Sequence, residues 1–348
     1  MKKGTVVSSV LSALVLALLS GCGSPETATP PSGPNPAQPP AAKGGDFKVG
    51  LVTPGEVTDG GWSQSAYDGL QKIQKDTGAT VNNFVAESPA KAFSAFRDFS
   101  GQDYNLVIGH ASEWWDPETL KIAEAHPKTT FLISGGENAK GNVACVRYQL
   151  EDACYVLGQI AASMSKTNKL GVVGPEKVAV IESTFYAFEQ GAKSVKKDIS
   201  VEIVWTQDGK DIARAKERTL ILIDQGCDFI FHNANNGAAG VFQAVQEKKD
   251  KGVLAFGANA DQSSMAPDVI LASAAIDIPD AFVSLAKSVK DGTFKSEVQY
   301  IGMKQNGVSV VYNPKLESKI PADVKKLAAE TVQKIKSGDF KVPRQALK

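Results

Sequence analysis

The sequence has 348 residues, 43% apolar and 22% charged, which is enough for a packed core and room for two domains. Lysine and arginine together number 38, as do aspartate and glutamate. The basic excess of a nucleic-acid surface is missing, so no nucleic-acid partner is expected.

The N-terminus reads as an address. Lys2 and Lys3 precede a mostly apolar run, Val10 to Leu19, that is short for a bilayer span. Residues 1–21 are expected to be a secretory signal peptide. The end of that segment, Leu19-Ser20-Gly21-Cys22, resembles the lipobox of bacterial lipoproteins. The resemblance implies cleavage before Cys22, a lipid on Cys22, and anchoring to the extracytoplasmic face of the cell membrane. A plain signal peptide with an incidental cysteine is the alternative. Gly23 to Gly45 is rich in Pro, Ala, Gly, Ser and Thr and cannot build a core. Residues 22–45 are therefore expected to be a tether, with a globular body from Asp46.

In the body, apolar strand-like runs alternate with helical periodicity. Strands are expected at Phe47–Val52, Thr80–Val85, Leu106–Ile108, Thr130–Ile133 and Val143–Val146. Helices are expected at Ser63–Asp76, Ala90–Phe99 and Pro117–Ala125. A longer helix, Glu151–Met164, carries Gly158, Ala161 and Ala162, which permit close packing. The rhythm restarts at Leu170–Val173, with helices at Ser183–Lys196, Ala213–Gln225 and Ala238–Glu247 and strands at Val201–Trp205, Phe229–Phe231 and Leu254–Phe256. Strands at Val269–Ala272, Val298–Ile301 and Val308–Tyr312 follow, with helices at Pro279–Val289 and about Ala322–Ile335. Such alternation predicts mainly parallel sheets, and two series predict two α/β lobes. The expected division is 46–165 plus about 262–305 for one lobe, and 166–261 plus about 306–348 for the other.

Catalytic chemistry is thinly represented. Only His110, His126 and His232 are available, and no HExxH, CxxC or GxSxG occurs. Gly136 to Gly141 begins like a phosphate-binding loop, but Asn142 stands where the lysine must be. No cofactor or metal is expected. Cys145, Cys154 and Cys227 are expected as buried free thiols, a Cys145–Cys154 bridge being the alternative.

Binding groups are richer. Asp59-Gly60-Gly61-Trp62 and Trp114-Trp115-Asp116 follow strands, and Phe185 and Phe188 follow the apolar run Val178–Ile181. Asn233 to Gly237 and Asn259 to Gln262 follow two more strands. Aromatic faces with uncharged donors and acceptors suit a flat heteroaromatic ligand at the carboxyl ends of the strands. Each residue also has a plain structural reading. A lone aromatic is more often core, Asp59 can be a turn residue, and Asp116 before Pro117 can cap a helix.

Several of these pieces occur in the order of a known family. They are Asp59 to Gln64 with Gly69, Gly141-Asn142-Val143, Gly158 to Ala162, Ser165-Lys166-Thr167, Asp224 to Ile230 and Asp261-Gln262. From about Lys48 to Pro314 the chain resembles the basic membrane lipoprotein (BMP) family of substrate-binding proteins, which serve ABC importers of purine nucleosides and related compounds. The resemblance implies two Rossmann-like lobes of the periplasmic-binding-protein type I fold, closing on ligand like a clamp. It implies that Trp62 and Phe188 sandwich the base. Asn235, Asn259 and Asp277 would offer hydrogen bonds, and Asp59 would shape or contact the cleft. The register of Trp114-Trp115 against the family is ambiguous: one is expected to line the cleft, with Trp115 taken as that residue, and the other to pack inside. Two departures stand out: Asn259 replaces an acid, and Ile276 replaces a lysine, both of which hold ribose in nucleoside binders. Purine nucleoside and purine base both stay open as ligands. ABC permease and ATPase subunits are the implied partners. A ligand sensor for a membrane receptor is one alternative. The other is an extracytoplasmic nucleoside-acting enzyme using His110, His232, Glu113, Asp116 or Glu182.

Overall fold

The computed structural model describes residues 47–346. The expected signal peptide, the lipid site at Cys22 and the whole tether lie outside the described residues. Within them, two six-stranded sheets carry the fold. The first contains β1 (Lys48–Thr53), β2 (Thr80–Val85), β3 (Leu106–Gly109), β4 (Thr130–Ser134), β5 (Val143–Tyr148) and β11 (Val298–Ile301). Its order is β11-β5-β4-β3-β1-β2, and every pairing is parallel. The second contains β6 (Lys169–Gly174), β7 (Ser200–Trp205), β8 (Phe229–His232), β9 (Leu254–Asn259), β10 (Ile270–Ile276) and β12 (Val308–Tyr312). Its order is β12-β10-β9-β8-β6-β7, with only β12 antiparallel.

Burial on both faces explains the composition of the inner strands. β3 (Leu-Val-Ile-Gly) and β8 (Phe-Ile-Phe-His) are buried throughout, as parallel strands covered by helices must be. The covering helices of the first sheet are α1 (Trp62–Thr77), α2 (Pro89–Gly101) and α3 (Pro117–Ala125). Both α2 and α3 open on a cap followed by proline. Ser88 Oγ accepts from Lys91 N–H, and Asp116 Oδ1 accepts from Glu118 N–H. On the second sheet lie α5 (Ala179–Val195), α6 (Ile212–Asp224) and α7 (Ala238–Glu247).

The lobe division differs from the expected one in two places. β10 pairs with β9 in register from Ser273–Gly257 to Ala275–Asn259, so residues 262–276 belong to the second lobe. The chain crosses only after Ile276, into α8 (Ile278–Lys290), which packs on α1. Similarly α4 (Glu151–Met164) lies against α5 and α9 (Ala322–Ser337), not on the first sheet. Its small residues decide this. A Cβ at Gly158 would fall 2.0 Å from the Phe188 carbonyl oxygen, and one at Gly191 2.0 Å from that of Tyr155. The backbones of α4 and α5 touch, and only glycine allows it. Three crossings, after β5, β10 and β11, join the lobes.

All three cysteines of the described residues are buried and unpaired. Cys145 packs among Phe131 and Ile133 and Cys154 in a different cluster, so the alternative bridge does not form.

Candidate functional site

The carboxyl ends of both sheets face one cleft, with about 830 Å³ of space between its walls, the open mouth included. The first lobe contributes Trp62, Glu113, Arg147 and Tyr148; the second contributes Glu176, Ile181, Thr184, Asn233, Asn235 and Asn259.

Asp59 sets the entry to α1. Its carboxylate accepts the backbone N–H groups of Gly61 (2.9 Å), Ser63 (2.9 Å) and Gln64 (3.0 Å). These are unpaired donors of a helix start, so the carboxylate is spent on the backbone and borders only the outer part of the cleft. Asp59 thus shapes the cleft by organising the turn that carries Trp62.

Trp62, the first residue of α1, is locked to His110 at the end of β3. The indole Nε1–H donates to the His110 carbonyl at 3.0 Å. The His110 ring lies 3.8 Å from the indole, nearly parallel at 22°. His110 Nε2 is 3.0 Å from the Trp62 carbonyl, which can only accept, so Nε2 carries the hydrogen. Nδ1 therefore accepts from Ser134 Oγ at 2.8 Å. The Ser134 hydrogen is thus used, and the Tyr148 hydroxyl, 3.2 Å away, donates to Ser134 Oγ. Burial removes hydration from the imidazolium and lowers the His110 pKa to about 3; it also pushes the Tyr148 phenol upward. The layer behind Trp62 is neutral, and Tyr148 meets the indole edge-on at 5.8 Å.

Next to Tyr148, Arg147 is a buried cation. It pairs with Glu137 at 3.0 Å and with the fully buried Glu151. Ser183 Oγ donates to Glu151 Oε1 at 2.7 Å, while Oε2 has no partner among the described residues. With two carboxylates already on its guanidinium, Arg147 is poorly free for a phosphate. Glu113 and Glu176 face the cleft from opposite lobes. Glu113 is solvent-exposed, yet the protein around the mouth raises its carboxyl pKa, and the charge of Glu176 adds to this.

The second lobe supplies amides. Asn259 Nδ2 donates to Asn233 Oδ1 at 3.0 Å, and Asn233 Nδ2 to Thr184 Oγ1 at 3.4 Å. Asn235 and Asn259 have φ of 49° and 69°, a left-handed backbone that asparagine tolerates better than most residues. Both line the cleft.

Three other expected site residues lie elsewhere. Phe188 is fully buried, stacked on Phe231 at 5.1 Å and edge-on to Phe256. The helix begins at Ala179, so Val178 is its N-cap and Ile181 stands in the first turn rather than in a strand. Phe188 lies seven residues beyond Ile181, about 10 Å down the axis, beneath the sheet rather than at the cleft. Ile181 and Thr184 hold the wall instead. Trp115 packs half-buried beside the cluster of Phe96, Trp114 and Phe131, not on the inner cleft. Asp277 is exposed and caps α8, accepting from Asp280 N–H at 3.2 Å, and Ile276 before it faces the cleft.

Sequence reasoning missed Arg147, Tyr148 and Glu176 as lining residues, and Ser134 behind them. Their signal was position alone: each lies at or just past the carboxyl end of a strand.

A family model described as "ABC transporter substrate-binding protein PnrA-like" matches residues 47–346. A purine-binding protein of Brucella abortus is 30% identical over 297 residues, covering 84% of this chain and 82% of its own length. The transcriptional activator protein Med of Bacillus subtilis is 28% identical over 315 residues, covering 90% and 92%. A solved ABC transporter solute-binding protein of Aeropyrum pernix superposes with a TM-score of 0.77 at 20% identity, covering 86% of this chain and 94% of that one; it shares the fold.

Proposed function

This chain belongs to the PnrA-like family of ABC transporter substrate-binding proteins, and we propose that it captures a purine base or purine nucleoside between its lobes. The observation that carries this reading is Trp62. His110 covers one indole face, and the indole lines the cleft, which leaves its other face for a flat ring. The amides of Asn233, Asn235 and Asn259 supply in-plane donors and acceptors opposite it. The purine-binding relative supports the same ligand class. Asn259 and Ile276 line the cleft where nucleoside binders of the resembled family carry an acid and a lysine, which makes the base the main determinant of affinity.

Calorimetry against purine bases, nucleosides, pyrimidines and sugars tests the reading. Binding of purines with sugars silent is expected; tight sugar binding with purines silent would overturn it.

The protein works as a lipid-anchored extracytoplasmic component of an importer, delivering ligand to a permease and its ATPase. Cys22→Ser should release it from the membrane fraction; retention there would refute the anchor. Both ring nitrogens of His110 and His232 are engaged within the protein and Asp116 caps a helix, which supports binding without chemistry. Incubation with nucleosides should release no free base; release would favour an enzyme acting through Glu113 or Glu182. The kinship to Med supports a second reading, a sensor that reports ligand occupancy. Co-purification with permease and ATPase favours import, and with a signalling receptor favours sensing.

A further inference from the structure

Gln262, three residues past the end of β9, is 2% exposed, and its amide orientation is set by its neighbours. The Ala258 backbone N–H donates to Oε1 at 2.9 Å, which identifies that atom as the oxygen. His232 agrees. Its Nδ1 accepts from Ala234 N–H at 3.2 Å, so Nε2 carries the hydrogen and donates to the same Oε1 at 3.0 Å. The Gln262 backbone N–H donates to Ser273 Oγ on β10 at 3.1 Å. Everything but the amide nitrogen is thus anchored inside the second lobe.

That nitrogen reaches the first lobe. Nε2–H donates to the Gly60 carbonyl at 3.3 Å, two residues before Trp62. Met265, on the same second-lobe segment, covers Gly60: a Cβ there would lie 3.0 Å from the methionine sulfur. Gly60 also has φ of +67°.

We propose that Gln262 is a positioning residue whose bond to the Gly60 carbonyl latches the second lobe to the loop carrying Trp62, and so holds the indole against ligand in the closed clamp. This rests on the reading of the lobes as a clamp, whichever ligand fills it. A contact between loops of separate lobes is made on closure and lost on opening, so it stabilises the closed state and slows release.

Gln262→Glu tests it, because a carboxylate keeps the acceptor used by Ala258 and His232 but lacks the donor. With hypoxanthine and inosine as probes, dissociation should accelerate about five- to tenfold, the effect of one hydrogen bond. The melting temperature should fall somewhat, because the new carboxylate is buried, so the dissociation rate reads the latch. Gly60→Ala keeps the accepting carbonyl but strains the loop at φ of +67° and crowds Met265, so it should also speed dissociation. Unchanged dissociation in Gln262→Glu would overturn the latch. If the wild type binds neither probe, the purine reading fails, and small-angle scattering of the free protein decides the latch: a larger radius of gyration in Gln262→Glu supports it and identical curves refute it.

Discussion

Trp62 and His110 hold each other by two reciprocal hydrogen bonds, indole N–H to one backbone carbonyl and imidazole N–H to the other, both at 3.0 Å. The stacked rings between them make a rigid, neutral platform. A preorganised aromatic surface loses little conformational entropy when a ligand ring lands on it.

Removing that platform should cost binding more than folding. Base stacking on an aromatic side chain contributes about 1–3 kcal/mol, so Trp62→Ala should weaken purine affinity roughly ten- to hundredfold. Trp62→Phe keeps a π-face but frees the His110 carbonyl, and should fall between. Calorimetric affinities that do not change in Trp62→Ala would return this residue to a packing role.

Arg147 should matter to stability before it matters to ligand. Replacing it by methionine leaves Glu151 charged, fully buried and without its cation. Breaking such a pair costs about 3–5 kcal/mol. Denaturant unfolding should show that loss in Arg147→Met, with much of it recovered when Glu151→Gln is added. A double variant as unstable as the sum of the singles would contradict the pairing.

Acid should destabilise the fold through two histidines. His110 and His232 are held neutral, with pKa lowered to about 3 and about 4, against 6.5 for an ordinary histidine. Between those values and 6.5 the unfolded chain binds more protons than the folded one. Stability present above pH 6.5 is therefore lost as pH falls, by about 1.4 kcal/mol per pH unit for each histidine. Calorimetric melting from neutral pH down should show this slope, and His110→Gln or His232→Gln should flatten it. A melting temperature constant from neutral pH to about 4.5 would refute the buried neutral state.

The contact of α4 with α5 should tolerate no side chain. Gly158→Ala places a methyl 2.0 Å from the Phe188 carbonyl oxygen. Overpacking typically costs about 1–3 kcal/mol, and a clash against backbone belongs at or above that upper end. Gly101→Ala, where a Cβ would meet nothing within 4 Å, is the control and should be neutral or slightly stabilising. Equal unfolding midpoints for the two variants would mean that the helices do not touch as described.

Local pattern in the chain determined a good deal. Strand and helix alternation predicted two α/β lobes, because periodicity within one element reports which side of it is buried. The loop before α1, with Trp62 as its end, was legible from residue types that turns and helix starts require, and so was Asp116 as a cap. Tertiary structure decided what those elements face. Phe188 lies beneath the sheet because α5 starts at Ala179 and its axis carries residue 188 away from the cleft. Asp277 caps a helix because the crossing falls after Ile276, which only the pairing of β10 with β9 establishes. The neutral layer of His110, Ser134 and Tyr148 behind Trp62 joins four strand or helix ends far apart in sequence. Such contacts depend on how separate elements pack, and no window along the chain contains them.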